Sequence, residues 1–231
     1  MVLPQPRHGL RYLVMVQGGL AGHQPHLERP DVEVSHLEEP GVARSRSAVL
    51  DQCASPLLLF MDDDIALDLE GVVALARYMD ARPELSMVAG VLEHNNRRRD
   101  MTREKRMRHW NTARSMTPEI MIRIADVRAS GVRFDPDFGL KGTYPIGDEF
   151  VFMTDLLKAG CRGMWVPIRV GSHPGNSTGD LWVDPVIQDA RRAALRRVFG
   201  GWAPVIKICF AAKHQRRLGG WAAALRFILE K

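Results

Sequence analysis

The segment LLLFMDDDI, residues 57–65, decides the fold prediction. Its first five residues are apolar, and three adjacent carboxylates, Asp62, Asp63 and Asp64, follow them. A short continuous apolar run is typical of a strand that is buried on both faces of a parallel sheet. Three neighbouring carboxylates cannot be buried unpaired, because like charges so close together repel one another. We therefore expect them at the strand's exit, in the crevice where open α/β sheets bind ligands, neutralised by a divalent cation and phosphate oxygens.

Two arginines shortly before this segment indicate the same kind of ligand. Residues 41–54 carry apolar residues at helical spacing after Gly41, and Arg44 and Arg46 lie in the first two turns. A helix start carries partial positive charge, and arginine adds charge-assisted hydrogen bonds to phosphate. The alternatives are a solvated acidic turn at residues 62–64 and two ordinary surface arginines, and the spacing alone leaves them open.

The surrounding pattern predicts an α/β architecture. Residues 11–17 and 31–36 have the composition of strands, and residues 67–84 have the pattern of an amphipathic helix. A further strand is predicted at 87–93. A strand, a helix and a strand in this order are typical of the crossover unit of a parallel sheet.

Three residues in the second half of the chain are further candidates for a site. Asp148 and Glu149 open a predicted helix after a loop rich in glycine and proline, and His173 lies in a predicted loop at 171–180. Acids in a first helical turn are often only partners of the helix dipole, and most loop histidines are solvated. A glutamate that faces a cleft from such a position can instead act as a general base.

Composition places the chain among ordinary globular proteins that have an anionic partner. Its 231 residues are 45% hydrophobic and 26% charged, and the net charge of +5 favours a phosphorylated substrate, an acidic membrane surface or nucleic acid. Three scattered cysteines without metal-ligand spacing indicate reduced, buried thiols and a cytoplasmic location. No apolar run approaches the roughly 20 residues that a membrane-spanning helix needs.

Two stretches of the sequence are strongly basic. Residues 94–117 hold eight lysines or arginines, with His109 and Trp110 among them, and residues 181–231 hold ten basic residues against three acids. The first stretch is typical of a solvated loop, and equally of a surface that grips an anionic acceptor or a membrane. The second predicts two or three amphipathic helices with tryptophans, which either pack on the domain or lie against an anionic membrane face.

Four motifs, taken in order, resemble those of the family 2 glycosyltransferases of the GT-A fold. GVARSRS at 41–47 resembles the family's helix start Gly-x-x-x-Ala-Arg-Asn, and the strand ending in three aspartates at 62–64 resembles its Asp-x-Asp motif. FDPDFGL followed by GTYPIGDE resembles its acceptor-side turn and its Gly-Glu-Asp helix, and SHPGNSTG at 172–179 resembles its histidine loop. The resemblance covers roughly residues 11–200. It implies a GT-A-like (Rossmann-like) mixed, mostly parallel sheet flanked by helices, with C-terminal amphipathic helices.

The resemblance also implies a reaction. A sugar would pass with inversion from a nucleotide-sugar donor, most often UDP-linked, to a saccharide or lipid-linked acceptor, with Mn²⁺ or Mg²⁺ as the cofactor. Glu149 stands at the position of the family's base, and Asp148 is the alternative because the motif here reads Gly-Asp-Glu. The expected metal ligands are Asp64, Asp62 and His173, and the expected nucleotide contacts are Arg46, Asp62, Asp63 and Arg44.

The sequence departs from the family pattern at two further places. Ser45 and Ser47 replace the usual alanine and asparagine of the helix start. The family begins with a strand and a helix that help to hold the nucleotide base, whereas residues 1–9 resemble only the end of that helix. We therefore expect residues 1–231 to bind UDP more weakly, and to melt lower, than a chain extended upstream.

These inferences predict two regions and leave two other functions open. Residues 1–180 would form the catalytic domain that binds the nucleotide-sugar and the metal, and residues 181–231 a basic helical extension that contacts the membrane peripherally. A cytoplasmic location is expected, and nucleic acid is not an expected partner. One alternative is an aspartate-nucleophile phosphatase-like hydrolase, although Ala66 stands where that class has threonine or valine. The other is a non-enzymatic basic protein that binds an anionic membrane or nucleic acid.

Overall fold

The structure is a computed structural model that describes residues 3–17, 28–94, 102–114, 116–173, 175 and 178–230. Residues 95–101 of the first basic stretch and residues 174, 176 and 177 of the histidine loop lie outside the described residues. The strands are β1 (Tyr12–Gln17), β2 (Val32–Leu37), β3 (Leu57–Leu59), β4 (Ala66–Leu67), β5 (Met87–His94), β6 (Lys105–Arg106), β7 (Ile120–Arg123) and β8 (Gly163–His173). The helices are α1 (Val42–Gln52), α2 (Leu69–Asp80), α3 (Ile124–Ser130), α4 (Asp148–Lys158), α5 (Pro185–Phe199), α6 (Ala203–His214) and α7 (Trp221–Leu229).

The strands form two sheets, and the longest pairing in each is parallel. β1 and β2 pair in parallel as a two-stranded sheet. The other strands form a sheet in the order β3-β7-β5-β8-β4, with β6 also paired to β8. Within this second sheet β5 and β8 are parallel, while β7 runs antiparallel between β3 and β5. The predicted mixed α/β fold with flanking helices is confirmed.

Strand β3 differs from the expected strand with two buried faces. It contains only Leu57–Leu59, all three of which are partly exposed, and it lies at one edge of the second sheet. β3 and β5 do run in the same direction, as a crossover unit requires, but the antiparallel β7 is inserted between them. An apolar run shows how hydrophobic a strand is, and it does not show which strand lies beside it.

The edges of β1 and β3 face the same cavity. Within the described part of the chain, β1 pairs only with β2, and β3 pairs only with β7. Consecutive residues of both strands, Tyr12–Gln17 and Leu57–Met61, line the cavity. The side chains of a strand alternate between its two faces, so a row of consecutive lining residues means that the strand edges face the cavity. The cavity therefore lies in a gap between the two sheets.

The segment before β1 is not the helical tail that the sequence suggested. Residues 3–11 contain no helix, and a turn is closed there by the Leu10 N–H, which donates to the Arg7 carbonyl over 3.1 Å. Pro4 and Pro6 lack the N–H groups that a helix interior requires.

Helices cover both faces of the second sheet. Met87 and Ala89 of β5 lie in one core cluster with residues of α1, α3 and α4, whereas Val88 lies in another with residues of α2. The alternation follows from the period of two in a strand. Leu50 of α1 and Leu75 of α2 are completely buried in these two clusters.

The C-terminal helices share a third core with α4. Phe150 and Val151 of α4 lie in one cluster with Leu195 of α5, Ala211 of α6 and Phe227 of α7. Each described helix is too short or too polar to cross a bilayer. The boundary at residue 180 between a catalytic domain and an extension stays a prediction.

Candidate active site

A cavity of about 1570 Å³ runs along the edges of β1 and β3 and extends past their carboxyl ends. Gln17 and Asp62, which follow the apolar parts of these two strands, both line it. Ligands of open α/β sheets bind at this end of the strands. Arg44 is the one predicted site residue that does not line the cavity, and those that do are Arg46, Asp62, Asp63, Asp64, Asp148, Glu149 and His173.

Arg46 joins two carboxylates that are far apart in the sequence. Its guanidinium donates to Asp148 Oδ2 and, over 3.1 Å, to Asp62 Oδ1. The side chains of Arg46 and Asp148 are 13% and 7% exposed, while that of Asp62 is 46% exposed. The guanidinium carbon also lies 5.8 Å from the centre of the Phe134 ring, within the range of a cation–π contact. Arg46 therefore supplies the positive charge that the buried Asp148 needs.

Glu149 lies beside Asp148 in the first turn of α4, and its carboxyl group takes up a proton more readily than that of a solvated glutamate. Burial raises the pKa of the Glu149 carboxyl well above its ordinary value. The negative charge of Asp148 and a hydrogen bond with it raise the pKa further, and Arg46 opposes them only weakly. A carboxyl group whose pKa is raised in this way is suited to proton transfer near neutral pH.

Asp64 and His173 meet at the other side of the cavity. His173 Nε2 lies 3.0 Å from Asp64 Oδ2, and its Nδ1 lies 2.7 Å from the carbonyl oxygen of Gly175. A proton on Nδ1 is donated to Gly175 and leaves the Nε2 lone pair directed at Asp64, whereas a proton on Nε2 is donated to Asp64. The sequence placed His173 in a loop, but it is the last residue of β8. The end of this strand fixes the imidazole against the acidic turn.

The Asp64–His173 pair fits a divalent cation as part of a shared ligand set. A histidine with Nδ1 held by a backbone carbonyl is oriented as metal-binding histidines usually are. Mg²⁺ and similar ions in phosphate sites commonly take one or two protein ligands and complete their coordination with phosphate oxygens and water. Among the described residues, no group of three or more histidine, cysteine, aspartate or glutamate side chains is placed to hold a metal. Asp62 is turned towards Arg46 instead.

The structure does not bring Arg44 to the cavity. Arg44 pairs with Glu39, and both side chains are more than half exposed. Residues two apart on a helix point about 200° away from each other, so Arg44 and Arg46 cannot face the same ligand. Arg44 thus forms a surface ion pair away from the cavity, and its contact with the nucleotide stays a prediction. Asp63 lines the cavity from the exposed acidic turn.

Two further cavity residues escaped the sequence-based prediction. Gln17 Oε1 accepts a hydrogen bond from the Gly41 N–H over 2.7 Å, which ties the start of α1 to the end of β1. Arg191 of α5 lines the cavity, donates to the Gly179 carbonyl over 2.6 Å and lies 4.2 Å from the Trp182 ring centre. Nothing in the sequence distinguished Arg191 from the other basic residues of the C-terminal helices.

Two solved proteins have a similar fold. The structure of S. aureus TarS 1–349 in complex with UDP-GlcNAc aligns with 80% of this chain and 57% of that one, at 15% identity and a TM-score of 0.58. Glucosyl-3-phosphoglycerate synthase from Mycobacterium tuberculosis, in complex with Mn²⁺, UDP-glucose and phosphoglyceric acid, aligns with 81% of this chain and 68% of that one, at 13% identity and a TM-score of 0.56. The chain thus spans less than two thirds of the TarS fragment. At such low identity the likeness establishes the fold alone.

Comparison of the sequence with known proteins and family profiles goes beyond the fold and identifies the family. No curated protein matches the chain. The family profile described as "Glycosyl transferase family 2" matches residues 20–138, just over half of the sequence. This match includes the helix that carries Arg46 and the acidic turn at 62–64. The chain belongs to glycosyl transferase family 2.

Proposed function

We propose that the protein transfers a sugar from a nucleotide-sugar donor, UDP-linked, to a hydroxyl group of a saccharide or lipid-linked acceptor. The transfer depends on Mn²⁺ or Mg²⁺ and inverts the configuration at the sugar carbon. The observation that carries this proposal is the meeting of a carboxylate–histidine pair and a carboxylate–carboxylate pair in one cavity. Asp64 lies beside His173 at one side, and Asp148 lies beside Glu149 and Arg46 at the other.

The donor is held at the carboxyl ends of β1 and β3. Asp62 and Asp63 border the cavity on the side of β3 and offer acceptors to the hydroxyl groups of a ribose. Arg46 and Arg191 line the same cavity and offer guanidinium groups to a diphosphate. These contacts are supported by the net positive charge of the chain, which attracts a phosphorylated ligand.

Asp64 and His173 would hold the divalent cation together with the oxygens of the diphosphate. When bound, such a cation neutralises the negative charge that develops on the departing diphosphate. Asp64 contributes a carboxylate oxygen and His173 an imidazole nitrogen, a set of donor atoms that suits Mn²⁺. The 3.0 Å separation of these two side chains keeps both donor atoms at the same point of the cavity wall.

Glu149 acts as the general base. The acceptor hydroxyl loses its proton to the Glu149 carboxylate, and its oxygen bonds to the anomeric carbon. The bond from that carbon to the diphosphate breaks, and its electron pair leaves with the nucleoside diphosphate. One bond forms and one breaks on opposite faces of the sugar carbon, so the configuration inverts. Asp148 orients this carboxyl group, because it is hydrogen-bonded to Glu149 and fixed by Arg46.

Calorimetry of UDP with Mn²⁺ tests the donor site. Asp64→Asn removes the negative charge beside His173 and should abolish Mn²⁺-dependent UDP binding, while circular dichroism remains that of the folded chain. Asp51→Asn is the matched control, because Asp51 is exposed and pairs with Arg133 outside the cavity. Undiminished Mn²⁺-dependent UDP binding by Asp64→Asn would mean that the cation is not bound at this position.

Release of nucleotide from a panel of UDP-sugars and acceptors tests the base. Glu149→Gln should keep donor binding and lower the transfer rate by about 100-fold or more, the typical contribution of a general base. Asp148→Asn should have the smaller effect on transfer. If Asp148→Asn alone abolishes transfer, the roles of the two carboxylates are exchanged.

The location proposed for this activity is the cytoplasmic face of a membrane, where both soluble nucleotide-sugars and lipid-linked acceptors are within reach. The family match and the Asp64–His173 pair favour a transferase over the phosphatase-like alternative. They also favour it over a basic protein that only binds an anionic surface.

A further inference from the structure

The last two helices expose apolar side chains that a monomeric protein would usually bury. Trp202 is 72% exposed, and Ile208 of α6 is 51% exposed. On α7, Trp221 is 65% exposed and Leu229 is 80% exposed. Scattered apolar residues at the surface are normal, but contiguous apolar patches mark interaction sites.

These exposed residues lie on one face of each helix. Along α6 and the residue before it, the exposed apolar positions 202, 205, 208, 209 and 212 are related by spacings of three and four residues. On α7, positions 221, 225 and 229 recur at a spacing of four residues, again all apolar. Such spacings place side chains on a single stripe of a helix. Cys209, expected to be a buried thiol, belongs to this exposed stripe.

The two stripes face outward from a common core. Ala211 on the opposite side of α6 and Phe227 on the opposite side of α7 belong to the same buried cluster. The helices also contact each other directly. Each helix buries one side in that cluster and turns its apolar stripe away from it. We call the two stripes together the α6–α7 face.

The charges around the α6–α7 face are positive. Between residues 200 and 230 the sequence has five basic residues and one acid, Glu230. Glu230 is paired with Arg192 over 3.0 Å, so its charge is compensated within the protein. The exposed Lys213, Arg216 and Arg217 lie in and beside the turn that joins α6 to α7.

We propose that the α6–α7 face docks on an anionic lipid bilayer, with the two helices lying in the headgroup region. Apolar stripes that carry tryptophan and border on lysine and arginine are typical of interfacial helices. A bilayer explains the basic rim as well as the apolar stripes, because anionic headgroups lie next to the acyl chains. α6 has 12 residues and α7 has nine, so each helix is too short to span a bilayer.

This docking would bring the catalytic cavity close to the membrane surface. Phe210 of α6 lines the cavity, while Ile208 and Cys209 on the same helix belong to the exposed face. One helix therefore separates this part of the cavity from the bilayer. If the proposed transfer is correct, the acceptor class that this arrangement suits is a lipid-linked one, whose reacting hydroxyl stays near the headgroups.

Vesicle flotation with the full chain tests the docking. The vesicles are phosphatidylcholine alone or a mixture with phosphatidylglycerol, at low and at high salt. We expect binding to the anionic vesicles that weakens at high salt. The double variant Ile208→Glu, Leu225→Glu should lower the partition coefficient by about 10-fold or more, because it places charges in the apolar stripes. Both positions are more than half exposed, so circular dichroism should stay unchanged.

Trp110→Ser is the matched control. Trp110 is 70% exposed, but it lies in the basic stretch before β7 and outside the α6–α7 face. Its replacement should leave vesicle binding as it is. Lack of binding to anionic vesicles at low salt, undiminished binding by the double variant, or an equal loss with Trp110→Ser would each overturn the proposal. A dimer that forms without lipid and that the double variant dissociates would instead assign the face to a second copy of the chain.

Binding of UDP in solution is a separate readout. The double variant should bind UDP with Mn²⁺ as the unmodified chain does, because neither substituted residue lines the cavity. Failure of vesicle binding with intact UDP binding would refute the docking and leave the proposed transfer standing. Failure of the unmodified chain to bind UDP, with intact vesicle binding, would refute the proposed transfer and leave the docking standing.

Discussion

Replacing Arg46 with methionine should destabilise the protein through a charge left behind in the cavity wall. Arg46 donates to both Asp148 and Asp62. Methionine preserves much of the apolar stem of the arginine side chain but carries no positive charge. The Asp148 side chain is only 7% exposed, so water can hardly replace the lost partner. Asp148 also contacts Glu149, so these two acidic groups would be left side by side without Arg46.

The magnitude follows from the different burial of the two carboxylates. Removing one partner of a buried ion pair typically costs about 3–5 kcal/mol, because an uncompensated charge stays buried. The Asp62 side chain is 46% exposed, and an exposed ion pair contributes only about 0–1 kcal/mol. Loss of the contact with Phe134 adds about 0.5–1 kcal/mol. We expect Arg46→Met to lower the free energy of unfolding by about 3.5–7 kcal/mol in total.

Urea unfolding followed by tryptophan fluorescence measures this free energy at pH 7. Asp62→Asn is the matched control, because it removes the exposed partner of the same arginine and should cost about 1 kcal/mol or less. The double variant Arg46→Met, Asp148→Asn should be more stable than Arg46→Met alone, since it contains no buried unpaired charge.

Two results would refute this reasoning. A loss below about 1 kcal/mol for Arg46→Met would mean that Asp148 is compensated by another group. A double variant no more stable than Arg46→Met would mean that the loss comes from packing and not from charge. In either case the assignment of Arg46 as the counter-charge of the carboxylate pair is wrong.

Three further predictions concern stability. The folded-state pKa of Glu149 is raised, so the wild-type protein should lose stability relative to Glu149→Gln as pH rises from the unfolded-state pKa through the folded-state pKa. Urea titrations should show a loss of up to about 1.4 kcal/mol per pH unit in the free energy of unfolding. Burial lowers the pKa of His214 to about 4, so stability should fall as pH drops from about 6.5 to 4, by about 1–2 kcal/mol once solvent screening is allowed for, and His214→Gln should remove this dependence. An added Cβ on Gly71 would lie 1.6 Å from the Arg169 carbonyl oxygen, so Gly71→Ala should lower the melting temperature strongly, whereas Gly201→Ala, with nothing within 4 Å, should not.

Much of the local structure could be predicted from the sequence. The strands at β1, β2 and β5 and the helices α1, α2 and α4 lie where the apolar spacing placed them. Their type depends on the period of the hydrophobic pattern, which is a local property. The acidic turn after β3 could be predicted as well, because adjacent carboxylates cannot be buried with the apolar run before them.

The partners within the site could not be read from the sequence. Asp148 lies 102 positions after Arg46, and His173 lies 109 positions after Asp64. The family resemblance brought these residues to one site, but it did not show that Arg46 holds Asp148 or that Asp64 contacts His173. The difference between Arg44 and Arg46 depends on which side of α1 faces the cavity, and that is fixed only when the helix packs.

The sequence by itself determined where the carboxylates leave the apolar strand and which helices are amphipathic, since both depend on neighbours a few residues apart. Tertiary structure alone decided that β7 is inserted beside β3, that Arg191 reaches the cavity, and that two apolar stripes of α6 and α7 stay exposed. A periodic pattern establishes that a helix has an apolar face. Only the packing of distant segments determines whether that face is covered by the protein or left for a partner.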